Sequence, residues 1–282
     1  MRKFKVLSSA VLGISTLLGA GTCAFADTVN ITAIVQTPSP TQIVDVHYGG
    51  NPSAGLDSIG SVEAYAGQIN WTNTVVGNTD IGGGLLGSLP ASFGTGTFSS
   101  YCIDITQDIN IGQPATFDGL FTGSNLANTP VVAPSNNYQG MGTTAASAIQ
   151  SLYDNEYDTI SPSDNDQAAA FQIAIWYIIY STNPSHSSVD VTNSGNDFYI
   201  SGASANVIGL ADSYVDQAYL GDLPATTHHT ILALTDEVYQ DQLVVGIASN
   251  DAPPSVPAPS AAVAGISLLA GLGVWKRIRR VR

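Results

Sequence analysis

The stretch Ser163-Asp164-Asn165-Asp166-Gln167-Ala168-Ala169-Ala170-Phe171-Gln172-Ile173-Ala174-Ile175-Trp176-Tyr177-Ile178-Ile179-Tyr180 decides the fold class. Ser163 and Asp164 carry the short side-chain oxygens that cap a helix N-terminus, and the run from Gln167 to Tyr180 reads as a helix buried on most sides. Before it, Ala146, Ile149, Leu152 and Tyr153 fall on one face of a helix for which Thr143 or Thr144 is the expected N-cap. After it, Ala203 to Leu220 sets Val207, Leu210, Ala211, Tyr214 and Ala218 on a single stripe.

Outside this block the periodicity changes to two. Val29, Ile31, Ala33 and Val35 alternate with Asn30, Thr32 and Gln36, as a half-buried strand requires. Ile43 to Tyr48, Val62 to Thr72 and Phe98 to Ile105 read the same way, and strands return after Pro224 at Thr230 to Leu234 and Tyr239 to Ala248. Gly82-Gly83-Gly84 and Asn125 to Asn137 have loop composition. The order β, α, β predicts an α+β fold, a β-sandwich or barrel lobe with a segregated helical subdomain. A body spanning 27–250 is long enough for one substantial core.

The ends have a different character. Arg2, Lys3 and Lys5 precede an apolar run from Val6 to Ala20 and the small-residue site Ala24-Phe25-Ala26, the order of a secretory signal, with cleavage expected after Ala26. Cys23 is preceded by Ala20-Gly21-Thr22, which is not lipoprotein spacing. At the other end, a Pro-rich linker at 251–260 leads to an uncharged stretch, Ala261 to Trp275, followed by Lys276, Arg277, Arg279, Arg280 and Arg282. Fifteen helical residues span roughly 22 Å, short of the roughly 30 Å hydrocarbon core, so transient membrane anchoring through 261–275 is expected. The basic end fixes the body on the outer side.

All eight Lys and Arg lie in these ends, and none occurs between Asp27 and Trp275. The 22 Asp and Glu all fall inside that interval, so its formal charge is −22. Nucleic acid and anionic membrane surfaces, which are held by basic patches, are poor partners for such a body. Loss of the signal takes Cys23 with it and leaves Cys102 as the one cysteine in an oxidising compartment, where a spare thiol requires a reason.

Two resemblances supply one. Tyr101-Cys102-Ile103-Asp104 and Phe171-Gln172-Ile173-Ala174-Ile175-Trp176 resemble the two motifs of bacterial thioester domains of surface adhesins, and the similarity extends over 99–248. It implies that Cys102 supplies the sulfur and Gln172 the acyl group of an internal thioester. The chemistry calls for neighbours that keep water from the bond, for which Tyr101, Phe171, Ile175 and Trp176 are the candidates; Asp104, two residues from Cys102 and hence on the same strand face, is a candidate to tune the thiol or accept a hydrogen bond. The C-terminal linker, apolar segment and Arg cluster resemble the PEP-CTERM sorting tail handled by an exosortase-type enzyme; in Val256-Pro257-Ala258-Pro259, Ala258 stands where that family has Glu.

The expected function is single-use covalent capture of an amine-bearing surface or matrix target, either a protein Lys or an amino sugar. It calls for no turnover as an enzyme, no cofactor and no metal. Exposure at the cell surface or in the extracellular matrix follows. Because the body holds no Lys, it cannot join to a copy of itself through a side-chain amine.

The alternative is a non-covalent structural or carbohydrate-binding matrix protein in which Cys102 is an inert buried thiol, the usual fate of a lone cysteine in a strand. Against this, an unpartnered amide at Gln172 inside an apolar helix would cost about 1–3 kcal/mol. A hydrolytic Cys-His arrangement would draw on His47, His186, His228 or His229, but no local signature accompanies them. His228 and His229 are adjacent at a strand, and such neighbours point to opposite faces, a poor arrangement for a metal. Asp164-Asn165-Asp166 lacks the Gly and distal Glu of a calcium loop and reads as helix capping.

Overall fold

The structure, a computed structural model, describes residues 27–36, 39–49, 60–76, 96–130, 140–161, 163–181, 189–220 and 229–246. The expected signal segment 1–26, the linker 251–260, the tail 261–282, His186 and His228 lie outside them.

Alternation in the first strand, β1 (Asp27–Val35), turns Ile31, Ala33 and Val35 fully inward. β1 pairs on one side with β4 (Ile69–Val76) and on the other with β6 (Pro114–Thr122). β4 continues to β5 (Thr97–Cys102), β5 to β9 (Gln242–Gly246), β9 to β8 (Thr230–Thr235), and β8 returns to β6. The result is a closed six-stranded barrel, antiparallel throughout, in which every strand has two neighbours.

A second, three-stranded sheet places β2 (Thr41–Tyr48) between β3 (Gly60–Gly67) and β7 (Phe198–Ser201). Three helices complete the body: α1 (Gly142–Glu156), α2 (Asn165–Tyr180) and α3 (Ala205–Leu220). α2 packs against α3 and against β2 and β3, while α1 packs on α3. The expected α+β architecture is therefore found in its barrel form, and α2 is the central element, buried on nearly all sides as its composition requires.

The structure corrects four local expectations. The run Val62 to Thr72 is two strands in two different sheets, because the chain turns at Gly67. That residue has φ +152°, and a Cβ there would lie 2.3 Å from the Pro40 carbonyl oxygen, so glycine is required. Thr143 and Thr144 sit inside α1, whose N-cap is Met141 with no side-chain cap. The strand expected to reach Ile105 ends at Cys102. The strand expected from Tyr239 begins at Gln242, because Asp236 Oδ1 accepts from Val238 N–H and Tyr239 N–H and folds that segment into a turn.

Candidate functional site

Cys102 is the last residue of β5, opposite Gln242 of β9, and is 2% exposed. Buried polar groups hold its main chain on both sides. Trp71 Nε1 donates to Ser100 Oγ at 2.7 Å, Ser100 Oγ donates to Gln242 Oε1 at 2.8 Å, and Gln242 Nε2 donates to the Gln240 carbonyl at 3.0 Å. This relay joins β4, β5 and β9. Just past the strand, Ile103 N–H donates to the Asp241 carbonyl at 3.0 Å, and the Tyr180 hydroxyl donates to the Ile103 carbonyl at 2.8 Å while accepting from Ile105 N–H at 3.3 Å.

Gln172 reaches this point from α2. The helix begins as its sequence demands: Asp164 is the N-cap and its Oδ1 accepts from Asp166 N–H at 2.9 Å and Gln167 N–H at 3.1 Å. Asp166 in turn accepts from Gln42 and Asn206, tying α2 to β2 and α3. Two turns on, the fully buried Gln172 carboxamide meets the Cys102 main chain at both ends. Cys102 N–H donates to Oε1 at 2.8 Å, and Nε2 donates to the Cys102 carbonyl at 2.7 Å. The amide thus stands in for a neighbouring strand at one residue, and its polar groups are satisfied. Gln172, Trp176 and Tyr180 are four residues apart, hence on one helix face. Gln172 and Tyr180 from that face both bond the segment that carries the thiol.

The thiol donates to the Asp104 carbonyl oxygen at 3.1 Å. Burial pushes its pKa well above the ordinary cysteine range, and the nearby Asp104 carboxyl adds to the rise; the indole N–H of Trp176, directed at the sulfur, is the strongest opposing influence. Trp176 is 2% exposed, and its Nε1 makes no hydrogen bond of ordinary geometry, so this N–H is a donor held in reserve beside the thiol.

Asp104 stands beside the thiol and accepts its hydrogen bond. Because the strand ends at Cys102, it approaches the thiol with its main-chain oxygen, and its carboxylate turns to Thr106, accepting at Oδ1 from the main-chain N–H at 2.7 Å and from Oγ1 at 2.6 Å. Oδ2 is buried without a partner. Burial raises the Asp104 pKa, and the two Thr106 bonds partly offset the rise.

The expected shielding residues divide between two sides. Tyr101 and Phe171 lie 4.9 Å apart, ring to ring, and belong to an aromatic cluster with Tyr153 and Tyr157 of the α1 end and Tyr214 of α3. The hydroxyls of Tyr101 and Tyr153 are buried there without partners, and burial raises both pKa values. Trp176 instead joins Cys102 in lining a cleft of about 330 Å³, bounded by β2, β3 and the segment 105–111.

The histidines within the described residues sit elsewhere. His47 stacks on Tyr199 at 4.3 Å and bonds Ser201 Oγ at 2.9 Å, while His229 lies 3.4 Å from the exposed Asp158 carboxylate. The composition-based reading missed Ser100, Tyr180, Asp241 and Gln242. Of these, only Tyr180 left a readable signal, its position eight residues after Gln172 on the same face.

No curated protein and no solved structure gives a significant match to the chain. Residues 99–209 match the family model of the thioester domain, a span that is less than half of the chain, begins at β5, includes both Cys102 and Gln172, and ends within α3.

Proposed function

We propose that Cys102 and Gln172 form an internal thioester through which this protein captures an amine-bearing target once, as an adhesin-like component of a cell surface or extracellular matrix. The observation that carries the reading is the double hydrogen bond between the Gln172 carboxamide and the main chain of Cys102, within the region similar to thioester domains.

The chemistry follows from that contact. Sulfur attacks Cδ of Gln172, a C–S bond replaces the C–N bond, and the thiol proton leaves with the amide nitrogen as ammonia. As the tetrahedral centre forms, charge grows on Oε1, which already rests on the Cys102 N–H, so this donor is placed for oxyanion stabilisation. The raised pKa makes the neutral thiol the resting form, so its proton is transferred in the course of the attack. When an amine later displaces sulfur, the Trp176 N–H is the donor available to the departing thiolate. The new amide stays on Gln172 and the free thiol returns.

Delivery rests on the chain ends. An N-terminal signal exports the body, and the basic-flanked tail holds it in the membrane until an exosortase-type enzyme acts on it.

The test is the intact mass of the protein purified at mildly acidic pH without amine buffers, followed by peptide mapping. A deficit of one ammonia, absent in Cys102→Ala, and incorporation of methylamine at Gln172 are expected. Full mass, with a titratable thiol and an intact Gln172 amide, would reject the thioester. It would favour a non-covalent matrix protein, a reading supported by the near-complete burial of Cys102.

A further inference from the structure

The cleft beside Cys102 touches Val62, Glu63, Ala64 and Tyr65 in succession. Successive side chains of a strand point to opposite faces, so a cleft that meets four in a row runs along the edge of β3 rather than over one of its faces. The direction of the main-chain groups on that edge follows from the register. Gly49 N–H donates to the Asp197 carbonyl at 2.7 Å, one step beyond the pairing of Tyr48 with Phe198, so the odd-numbered residues of β2 turn their main-chain groups toward β7 and the even-numbered ones toward β3. Val44 and Val46 therefore bond Ala64 and Val62, while Glu63 and Tyr65, opposite Asp45 and Ile43, aim N–H and C=O away from β2. The bond from Gln68 N–H to the Pro40 carbonyl, at 3.1 Å, has the same parity. The two edges of this sheet differ. At β7 the outward Ile200 N–H is taken by the Val191 carbonyl at 2.8 Å. Beyond β3 no strand follows among the described residues, and Glu63 and Tyr65 are exposed. An edge left open in this way is a template for another chain. β3 lies outside the span that matches the thioester domain, so this edge is supplied by the N-terminal part of the chain.

We propose that the open edge of β3 docks an extended segment of a target protein as an added strand and presents one of its lysines to Gln172 through the cleft. The inference rests on the thioester reading for its covalent step and narrows the target to a protein lysine. N–H and C=O groups at strand pitch recognise a peptide backbone, which an amino sugar lacks. Side chains of an added strand alternate between faces: those on the side of Val46 and Val62 enter the cleft that Cys102 and Trp176 also line, and their neighbours lie outside beside Ile43 and Tyr65. A lysine stem is apolar up to its amino group and suits the aliphatic inner wall of Val35, Val46 and Ile69. From Asp27 to Trp275 the chain has 22 acidic residues and no Lys or Arg, so a lysine-bearing segment is complementary in charge. A second copy on this edge would bring like charges together and deliver no side-chain amine.

The covalent step balances without further reagents. The lysine ammonium gives up one proton to solvent, the neutral nitrogen attacks Cδ of Gln172, sulfur leaves with the electron pair of the C–S bond, and it recovers a proton from the nitrogen as the amide forms.

Capture rates of the purified protein, read by intact mass, test the docking. The probes are a short blocked peptide of alternating Thr and Val around one Lys, the same peptide N-methylated along its main chain, and Nα-acetyl-lysine methylamide, all of which share one amine. The peptide is expected to react about tenfold faster than the lysine derivative, and N-methylation should remove the advantage. Equal rates for the peptide and the lysine derivative would overturn the proposal. Glu63→Pro deletes an outward N–H at an edge position, where proline is tolerated. In that variant, with an unchanged ammonia deficit, the ratio of the two rates should fall toward one, whereas Glu63→Gln should keep it. A ratio retained in Glu63→Pro, or lost in Glu63→Gln, would assign the advantage to something other than the strand edge and overturn the proposal. Hydrogen exchange in Cys102→Ala is read independently of any thioester: the peptide should slow exchange at the Glu63 and Tyr65 amides, and the N-methylated peptide should not. Such protection, with no ammonia lost from the unaltered protein, would sustain the docking edge while rejecting the thioester, and no protection at all counts against the edge. Amides already protected in the free monomer would mean that the chain covers its own edge, and protection that grows with protein concentration would make a second copy the occupant. Either result overturns the proposal.

Discussion

Tyr101 and Cys102 are neighbours on one strand, yet they face two regions built on different principles. The Tyr101 side is closed: its ring meets Phe171, which is itself surrounded by ring contacts with Tyr153, Tyr157 and Tyr214, and the Tyr101 hydroxyl has no partner. The Cys102 side is hydrogen-bonded and adjoins a cleft: Gln172 holds the main chain, Asp104 receives the thiol, and Trp176 stands by with an unused donor. Apolar packing on one face fixes the position of α2, and that position brings Gln172 to Cys102 on the other. Apolar packing and the proposed chemistry thus fall on consecutive residues of the same two elements, Tyr101 and Cys102 on β5, Phe171 and Gln172 on α2.

This division is open to attack from either side. Phe171→Ala empties the centre of the closed region, and a loss of about 3–5 kcal/mol is expected in urea unfolding; a loss near zero would mean that the cluster does not anchor α2. Trp176→Phe keeps an aromatic plate while deleting the N–H. Capture of methylamine should slow by about tenfold, on the scale of a hydrogen bond to a charged group, with folding stability changed far less. The pH profile for alkylation of the thiol released by methylamine should also move upward. The sign follows because removal of a donor to the anion raises a thiol pKa that burial already holds above the ordinary range, so less thiolate exists at any given pH. A slower reaction with an unmoved profile would reduce Trp176 to a packing role. The smallest effect belongs to Tyr101→Phe: because the hydroxyl is buried and unpaired, its deletion should leave stability within about 1 kcal/mol of the starting value or raise it.

Legibility in the sequence followed the same physical division. α2 was readable from Asp164 to Tyr180 because capping chemistry and apolar composition are local properties. β6 left a weak signal: it opens on Pro114 and places Ala115 and Gly119 on its buried face, residues that mark no alternation. β7 is four residues long and is defined only by its pairing with β2. The Val62 to Thr72 run kept a strand pattern through Gly67 because nothing in the pattern records the Pro40 carbonyl that turns the chain there. At the site, Cys102, Gln172 and Trp176 could be picked out by their resemblance to known motifs. The relay through Ser100 and Gln242 depends on β9 lying beside β5, a contact across 142 residues that no local window contains. The way Asp104 meets the thiol was not legible either, since a strand continued by two residues would have put its side chain where its carbonyl stands.

The Gln172 amide also reads direction. Its oxygen faces a donor and its nitrogen faces an acceptor, so the pocket discriminates between the chemical forms that position 172 can take. On the thioester reading, a secondary amide left by capture keeps its oxygen on the Cys102 N–H, while its trans N–H points away from the Cys102 carbonyl, so one neutral hydrogen bond is lost and no charge is added. A carboxylate, left by hydrolysis, would set a buried negative charge against that carbonyl, with no cation in the body to compensate. If the proposed thioester forms, a molecule that has bonded a target and one whose bond was lost to water therefore differ in how tightly α2 can sit on β5. Loosening of that contact would distinguish hydrolysed from productive copies within an ageing population.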